Sequence, residues 1–301
     1  MDIISGAGGE LAALLAAFLW AVASVVYRRV GERIPPVELN LLKGILALAM
    51  LGVTLVATRE SLAAVEPLAL ALLALSGVVG IGLGDSAYFR SLECLGARQA
   101  LLLGILAPPL AGLLAWLALG ETLSPGAWVG ILITVLGVGW VVTEGSREEA
   151  GQSSQRTRGI LFGLLAALTQ AGGVVLARAA FVHTEVSPLW ATFLRLAAGV
   201  LALLVWIPLA RRPAGRWLKQ GRTRGLWARL LFAVFFGTYL AIWLQQVALE
   251  RTSAGITQTL FSTSPLFVLP IAAWTGERVS IRAVLGAVVA LLGVLLLFGL
   301  G

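Results

Sequence analysis

Three ionised side chains stand inside stretches that are otherwise apolar: Lys43, Asp85 and Arg195. An ionised group at mid-bilayer costs about 2.5–3.5 kcal/mol on insertion scales, so such groups face a cavity or a partner. Lys43 and Asp85 carry opposite charges at similar depth, which makes them a candidate buried ion pair serving as a gate or a proton-sensitive element. Asp85 is the one acidic residue well inside an apolar stretch and is the first candidate for ion coupling. Aligning Gly84-Asp85 with Gly237-Thr238 puts a hydroxyl where the second half of the chain would need an acid, so Arg195 lacks the partner that Lys43 has. Its planar guanidinium suits a substrate's acidic group. The plainer alternative is that both cations cap carbonyls or reach the interface along their stems.

Uncharged polar residues at cavity depth complete the candidate substrate site. Asn40 lies one turn from Lys43, and Gln170, Gln245, Gln246, Gln258 and Ser262 fall in later stretches. Trp20 holds in the first stretch the place of Gln170 in the sixth, and Tyr88 and Trp243 add aromatic surface. Hydrogen bonding between helices is an equal alternative for each of them. Pro109, preceded by Pro108, and Pro265 interrupt apolar stretches at matching positions. A proline there frees carbonyls that protein, water or substrate must satisfy, which makes both candidates for gating. Gly77, Gly80, Gly82 and Gly84 read as a close-packing face.

Other chemistries lack their parts. The single cysteine, Cys94, excludes an internal disulfide, and the single histidine, His183, falls in a polar connection. A hydrolase needs a nucleophile with a base, and a magnesium-dependent transferase needs clustered aspartates. The sequence therefore predicts no catalytic residue, no metal site and no cofactor.

The elements that position these residues are helices in lipid. The chain of 301 residues is 59% apolar and only 12% charged, with mean hydropathy +0.94. Its apolar stretches are about 20 residues long, enough to cross a hydrocarbon core of roughly 30 Å. Ten are expected: 9–27, 37–58, 67–90, 98–119, 124–143, 159–180, 187–208, 226–248, 254–275 and 280–299. Only helices and closed barrels satisfy every backbone group in lipid, and barrels would show short alternating segments instead. The fold class is all-α integral membrane. The first stretch has full length and no basic residue before it, so it is read as a retained span and not a cleaved signal.

The chain also repeats itself. Pro109, Gly120-Glu121, Gly130, Gly137 and Val138 recur 156 residues later as Pro265, Gly276-Glu277, Gly286, Gly293 and Val294. Five spans per copy, an odd number, invert the second copy, and inverted repeats are a transporter architecture. The reading is two five-helix domains, 1–143 and 159–301, joined by a polar linker over 144–158.

The net charge of +7 resolves into topology. Of 22 Lys and Arg residues, 17 fall on one side of the ten-span arrangement; Arg59, Arg178 and Arg251 fall on the other, and Lys43 and Arg195 lie inside spans. The positive-inside rule makes the crowded side cytoplasmic and both termini external. The basic, tryptophan-bearing stretch 211–229 is expected along the cytoplasmic lipid interface. No nucleic-acid partner is needed to explain the charge.

These features resemble the drug/metabolite transporter superfamily, specifically its ten-helix proteins with two EamA domains. The resemblance spans nearly the whole chain. It rests on Lys43 and Arg195 early in the second helix of each half, on Ser91-Leu92 to Ala97 and Ala248-Leu249 to Ala254, and on the proline, Gly-Glu pair and glycines above. It implies a plasma-membrane carrier, as in a bacterial inner membrane, exporting amino acids, organic-acid-like metabolites or drugs by alternating access, as a monomer or weak dimer. A passive channel or lipid scramblase is the alternative, with a membrane-embedded enzyme a remote third.

Overall fold

The computed structural model describes residues 8–60, 65–119, 124–142, 153–209, 224–252, 254–264, 267–268, 270–271 and 280–299. All the regular structure among them is helical. Helix α1 (Gly8–Gly31) and α2 (Pro36–Thr58) are followed by α3 (Pro67–Ser76), a wide π-helical segment (Gly77–Asp85) and α4 (Ser86–Gly104). Next come α5 (Ala107–Leu119), α6 (Pro125–Val142), α7 (Ser153–His183) and α8 (Pro188–Leu209). The last part comprises α9 (Arg224–Ala233), a second π-helical segment (Val234–Leu240), α10 (Ala241–Arg251), α11 (Ala254–Phe261) and α12 (Ile281–Gly299). The start of α2, α3, α6 and α8 on a proline follows from the missing N–H, which costs nothing in a first turn.

Seven helical stretches among the described residues are long and apolar enough to cross a membrane: Gly8–Gly31, Pro36–Thr58, Pro67–Ala97, Gln99–Ala118, Ser154–His183, Pro188–Leu209 and Gly225–Arg251. Expected spans 124–143 and 280–299 coincide with α6 and α12, helices of 18 and 19 residues. Expected span 254–275 is broken after Phe261, and Pro265 within it lies outside the described residues. So do the Gly-Glu pairs at 120–121 and 276–277, most of the linker, and residues 211–223 of the basic stretch. Helix α7 begins at Ser153, so the last residues of the expected linker are helix, exposed and polar turns that continue the span beyond its apolar part.

Spans three and four meet at a single residue. Gly96 inside α4 has φ 79° and ψ 171°, the one positive-φ glycine among the described residues, and it kinks the chain between two helices with no intervening loop. The interruption expected at Pro108 and Pro109 falls just ahead of them. They sit in the first turn of α5 and not mid-helix, because the helix has already ended: Ile105 N donates to Leu102 O at 3.1 Å and Leu106 N to Leu103 O at 3.1 Å. The matching break in the second half is a tight turn, with Thr263 N donating to Leu260 O at 3.1 Å ahead of Pro265.

The two halves exchange elements. The first π-helical segment packs against α7 and α8, and the second packs against α1 and α2. The glycine face explains the first of these contacts. A Cβ on Gly77 would collide with the Arg195 carbonyl oxygen, and one on Gly173 would lie 3.0 Å from the Gly80 Cα. In the second, a Cβ on Gly237 would lie 2.3 Å from the Ala23 Cβ. Helices α6 and α12 form a further seam, Gly137 facing Ala290 while Gly293 faces Thr134 and Gly130. Higher numbers on one helix meet lower numbers on the other, so the pair is antiparallel. Thr134 Oγ1 donates to the Ala290 carbonyl at 3.2 Å, across 156 residues, the repeat spacing of the sequence.

Candidate functional site: a charged central cavity

Three elements deliver the three intramembrane charges to one place. Lys43 and Arg195 each follow the opening proline of their helix by seven residues, roughly 10 Å along the axis. Asp85 ends the first π-helical segment. The wider turn leaves backbone carbonyls splayed, and Asn40 fills that need: its Nδ2 donates to Ile81 O at 2.8 Å and to Ser86 Oγ at 2.9 Å. Asn40 is thereby committed to holding α2 against the segment that carries Asp85.

The ion pair expected between Lys43 and Asp85 is formed, Lys43 Nζ donating to Asp85 Oδ2. The ammonium is completely buried, and it also lies 5.2 Å from the Phe89 ring centroid and 5.8 Å from that of Trp20. Both rings present π-faces to a cation removed from water. Arg195 is 2% exposed, and its Nε and Nη1 have no hydrogen-bond partner among the described residues. Asp85 acts on Arg195 through space but forms its contact with Lys43. The cluster holds two cations and one anion, so one positive charge is left over among the described residues.

These groups face a cavity of ≈ 910 Å³, counted out to its open mouth. Its wall includes Trp20, Asp85, Tyr88, Gln170, Arg195, Gln245, Gln258 and Ser262, and so brings together most of the candidate residues from both halves. Gln245 Nε2 donates to Gln258 Oε1 at 3.4 Å, and Ser262 Oγ donates back to the Gln258 carbonyl at 2.7 Å. Phe261, Ile81 and a run of small residues, Gly163, Ala166 and Ala167, make the rest of the wall largely apolar. Lys43, Asn40, Gln246 and Pro109 are not on it. Lys43 stands behind Asp85, Asn40 is spent on the π-helical segment, and Pro109 is buried in the first turn of α5. Gln246 is fully buried, and neither its Nε2 nor its Oε1 has a partner among the described residues.

Sequence reasoning missed two buried hydroxyl contacts made by α1. Tyr27 OH and Thr238 Oγ1 lie 2.6 Å apart, joining α1 to the second π-helical segment. Tyr88 OH donates to Ser24 Oγ at 2.8 Å, which in turn donates to the Trp20 carbonyl at 2.8 Å. Thr238 stood opposite Asp85 in the repeat alignment, and that was the available signal; Tyr27 gave none beyond its place in a span.

A bundle of apolar helices thus surrounds a buried, charged and partly aromatic cavity. The sequence pattern of the EamA-like transporter family matches residues 7–143 and 157–299, and the chain belongs to that family. It is 27% identical over 226 residues to the uncharacterized transporter YyaM of Bacillus subtilis strain 168, covering 73% of this chain and 70% of that one. It is 34% identical over 140 residues to an uncharacterized Pseudomonas aeruginosa protein, covering 46% of this chain and 45% of that one. A solved crystal structure shares the fold with TM-score 0.72 at 18% identity, covering 97% of this chain and 96% of the other.

Proposed function

We propose that the protein is a secondary transporter that exports a small metabolite carrying an acidic group, an amino acid or organic-acid-like compound, across the plasma membrane by alternating access. The observation that carries this reading is Arg195, buried in the cavity wall with two unsatisfied donors beside a pair that is already neutral. A buried donor without a partner costs about 1–3 kcal/mol and more when charged, which a bound carboxylate returns as bidentate hydrogen bonds. Trp20, Tyr88 and Phe261 supply apolar surface for the remainder of the substrate. The antiparallel α6–α12 seam and the exchange of third spans support two inverted five-helix repeats, 1–143 and 159–301 around the linker 144–158, with ten crossings. The bias of basic residues to one side supports a cytoplasmic linker and stretch 211–229, with both termini outside.

Thermal unfolding of the purified protein against carboxylates, amino acids, nucleosides and cationic drugs tests the substrate class. A ligand that binds only the folded state raises its apparent stability by mass action, about 2.7 kcal/mol at one hundred times Kd. Carboxylate-bearing compounds are expected to stabilise the wild type and to lose that effect in Arg195→Ala. Equal stabilisation of both proteins would return Arg195 to a structural role. Counterflow in proteoliposomes then separates a carrier from a pore.

A further inference from the structure

Neighbouring aromatic residues line different cavities. Trp20 and Tyr88 face the central one, whereas Tyr27, two turns further along α1, and Phe89, the next residue of α4, face a second cavity of ≈ 650 Å³ counted to its mouth. That second cavity lies where α1 ends and α2 begins, with Arg28, Leu92 and Glu93 also on its wall. The four rings form one continuous layer. Trp20 and Tyr88 are 5.4 Å apart between centroids, Tyr88 and Phe89 5.8 Å, and Phe89 and Tyr27 5.2 Å. The Lys43 ammonium sits inside this layer, between the Trp20 and Phe89 rings and bonded to Asp85. The two spaces share no wall residue, and rings that line one pack directly against rings that line the other.

We propose that the second cavity is the vestibule of the transport path at the end of the bundle where α1 terminates, and that the Tyr27–Phe89–Lys43–Asp85 layer is the barrier closing it from the central cavity. The proposal rests on the carrier reading above. Both anchors of the layer belong to the π-helical segments: Asp85 ends the first, and Thr238, which holds Tyr27, is in the second. A π-helical turn carries one residue more than an α-helical turn, and releasing that residue rotates the remainder of the helix by roughly 100° about its axis, enough to carry a side chain from one neighbour to the next. The barrier is therefore pinned where each half can change its turn.

The test uses site-directed labelling in the full chain. Cys94 is the one cysteine, so Cys94→Ser provides a background without thiols. Leu92→Cys reports on the vestibule and Ser262→Cys on the central cavity, each exposed to a membrane-impermeant sulfonated maleimide from one face of sealed vesicles at a time. Leu92→Cys is expected to react from the face where α1 ends. Ser262→Cys is expected to be protected from that face and to react several-fold faster once Phe89→Ala thins the layer. Trp20→Ala, on the other side of the ammonium, thins the same layer if Phe89→Ala does not fold. An unreactive Leu92→Cys, a Ser262→Cys already reactive from that face, or one still protected in a folded thinned variant would each overturn the proposal. No transported compound is needed, so the labelling can fail while the carrier reading stands, and the reverse.

Discussion

At the scale of single residues, one acid serves two cations and chooses between them by position. Asp85 neutralises Lys43 and leaves Arg195 Nε and Nη1 without a hydrogen-bond partner among the described residues. Breaking a buried pair from one side leaves an uncompensated charge, a loss on the order of 3–5 kcal/mol, whereas replacing both partners by neutral groups of similar volume is often close to neutral. Asp85→Asn is therefore expected to lower the thermal midpoint sharply, and Lys43→Met combined with Asp85→Asn to recover most of the loss. A double variant no better than the single one would show that the two residues are not coupled. Arg195→Ala should behave differently, with little loss of stability, because it removes an unsatisfied group, but with loss of ligand-dependent stabilisation.

At the scale of elements, glycine decides which helices touch. Gly77→Ala would drive a Cβ into the Arg195 carbonyl oxygen, a backbone atom that cannot swing aside, so α8 must move with the segment that carries Asp85. Gly52→Ala meets nothing within 4 Å and is the matched control. The expected outcome is a strong fall in folded yield for the first and none for the second, read by size-exclusion profile in detergent. Gly96→Ala adds a side chain at φ 79° and ψ 171°, a conformation essentially confined to glycine that costs on the order of 1–3 kcal/mol, and its Cβ would also stand 3.1 Å from the Arg28 Cζ. A wild-type midpoint for Gly96→Ala would mean that the kink between spans three and four relaxes at no cost. The glycine face of span three was legible as packing, but its π-helical geometry was not. The extra residue per turn is set by carbonyls that Asn40 and Ser86 satisfy from the side, and hydropathy carries no trace of that.

At the scale of the molecule, the α6–α12 seam binds one half to the other through sequence-equivalent residues. A Cβ on Gly137 would lie 2.7 Å from Ala290 N and 3.0 Å from Ala290 Cα, backbone atoms that cannot swing aside. Gly137→Ala is therefore expected to force α6 away from α12 and to lower the thermal midpoint of the purified protein. An unchanged midpoint would show that the seam gives way at no cost.

Composition and the length of the apolar stretches determined that the chain is helical and lipid-borne, because a bilayer admits only helices and closed barrels, and stretches of about 20 residues suit helices. The repeated prolines and glycines are the signal for reading the halves as copies, and charge in apolar surroundings singled out Lys43, Asp85 and Arg195 before any fold was known. What the tertiary structure decided is how those charges are shared. The pairing of Asp85 with Lys43, the commitment of Asn40 to a π-helical turn, the withdrawal of Gln246 from the cavity wall and the bond between Tyr27 and Thr238 all depend on helix rotation and on contacts spanning 41 to 211 residues. A period of 3.6 residues fixes which side chains share a face, but only packing against the other half fixes which way that face points.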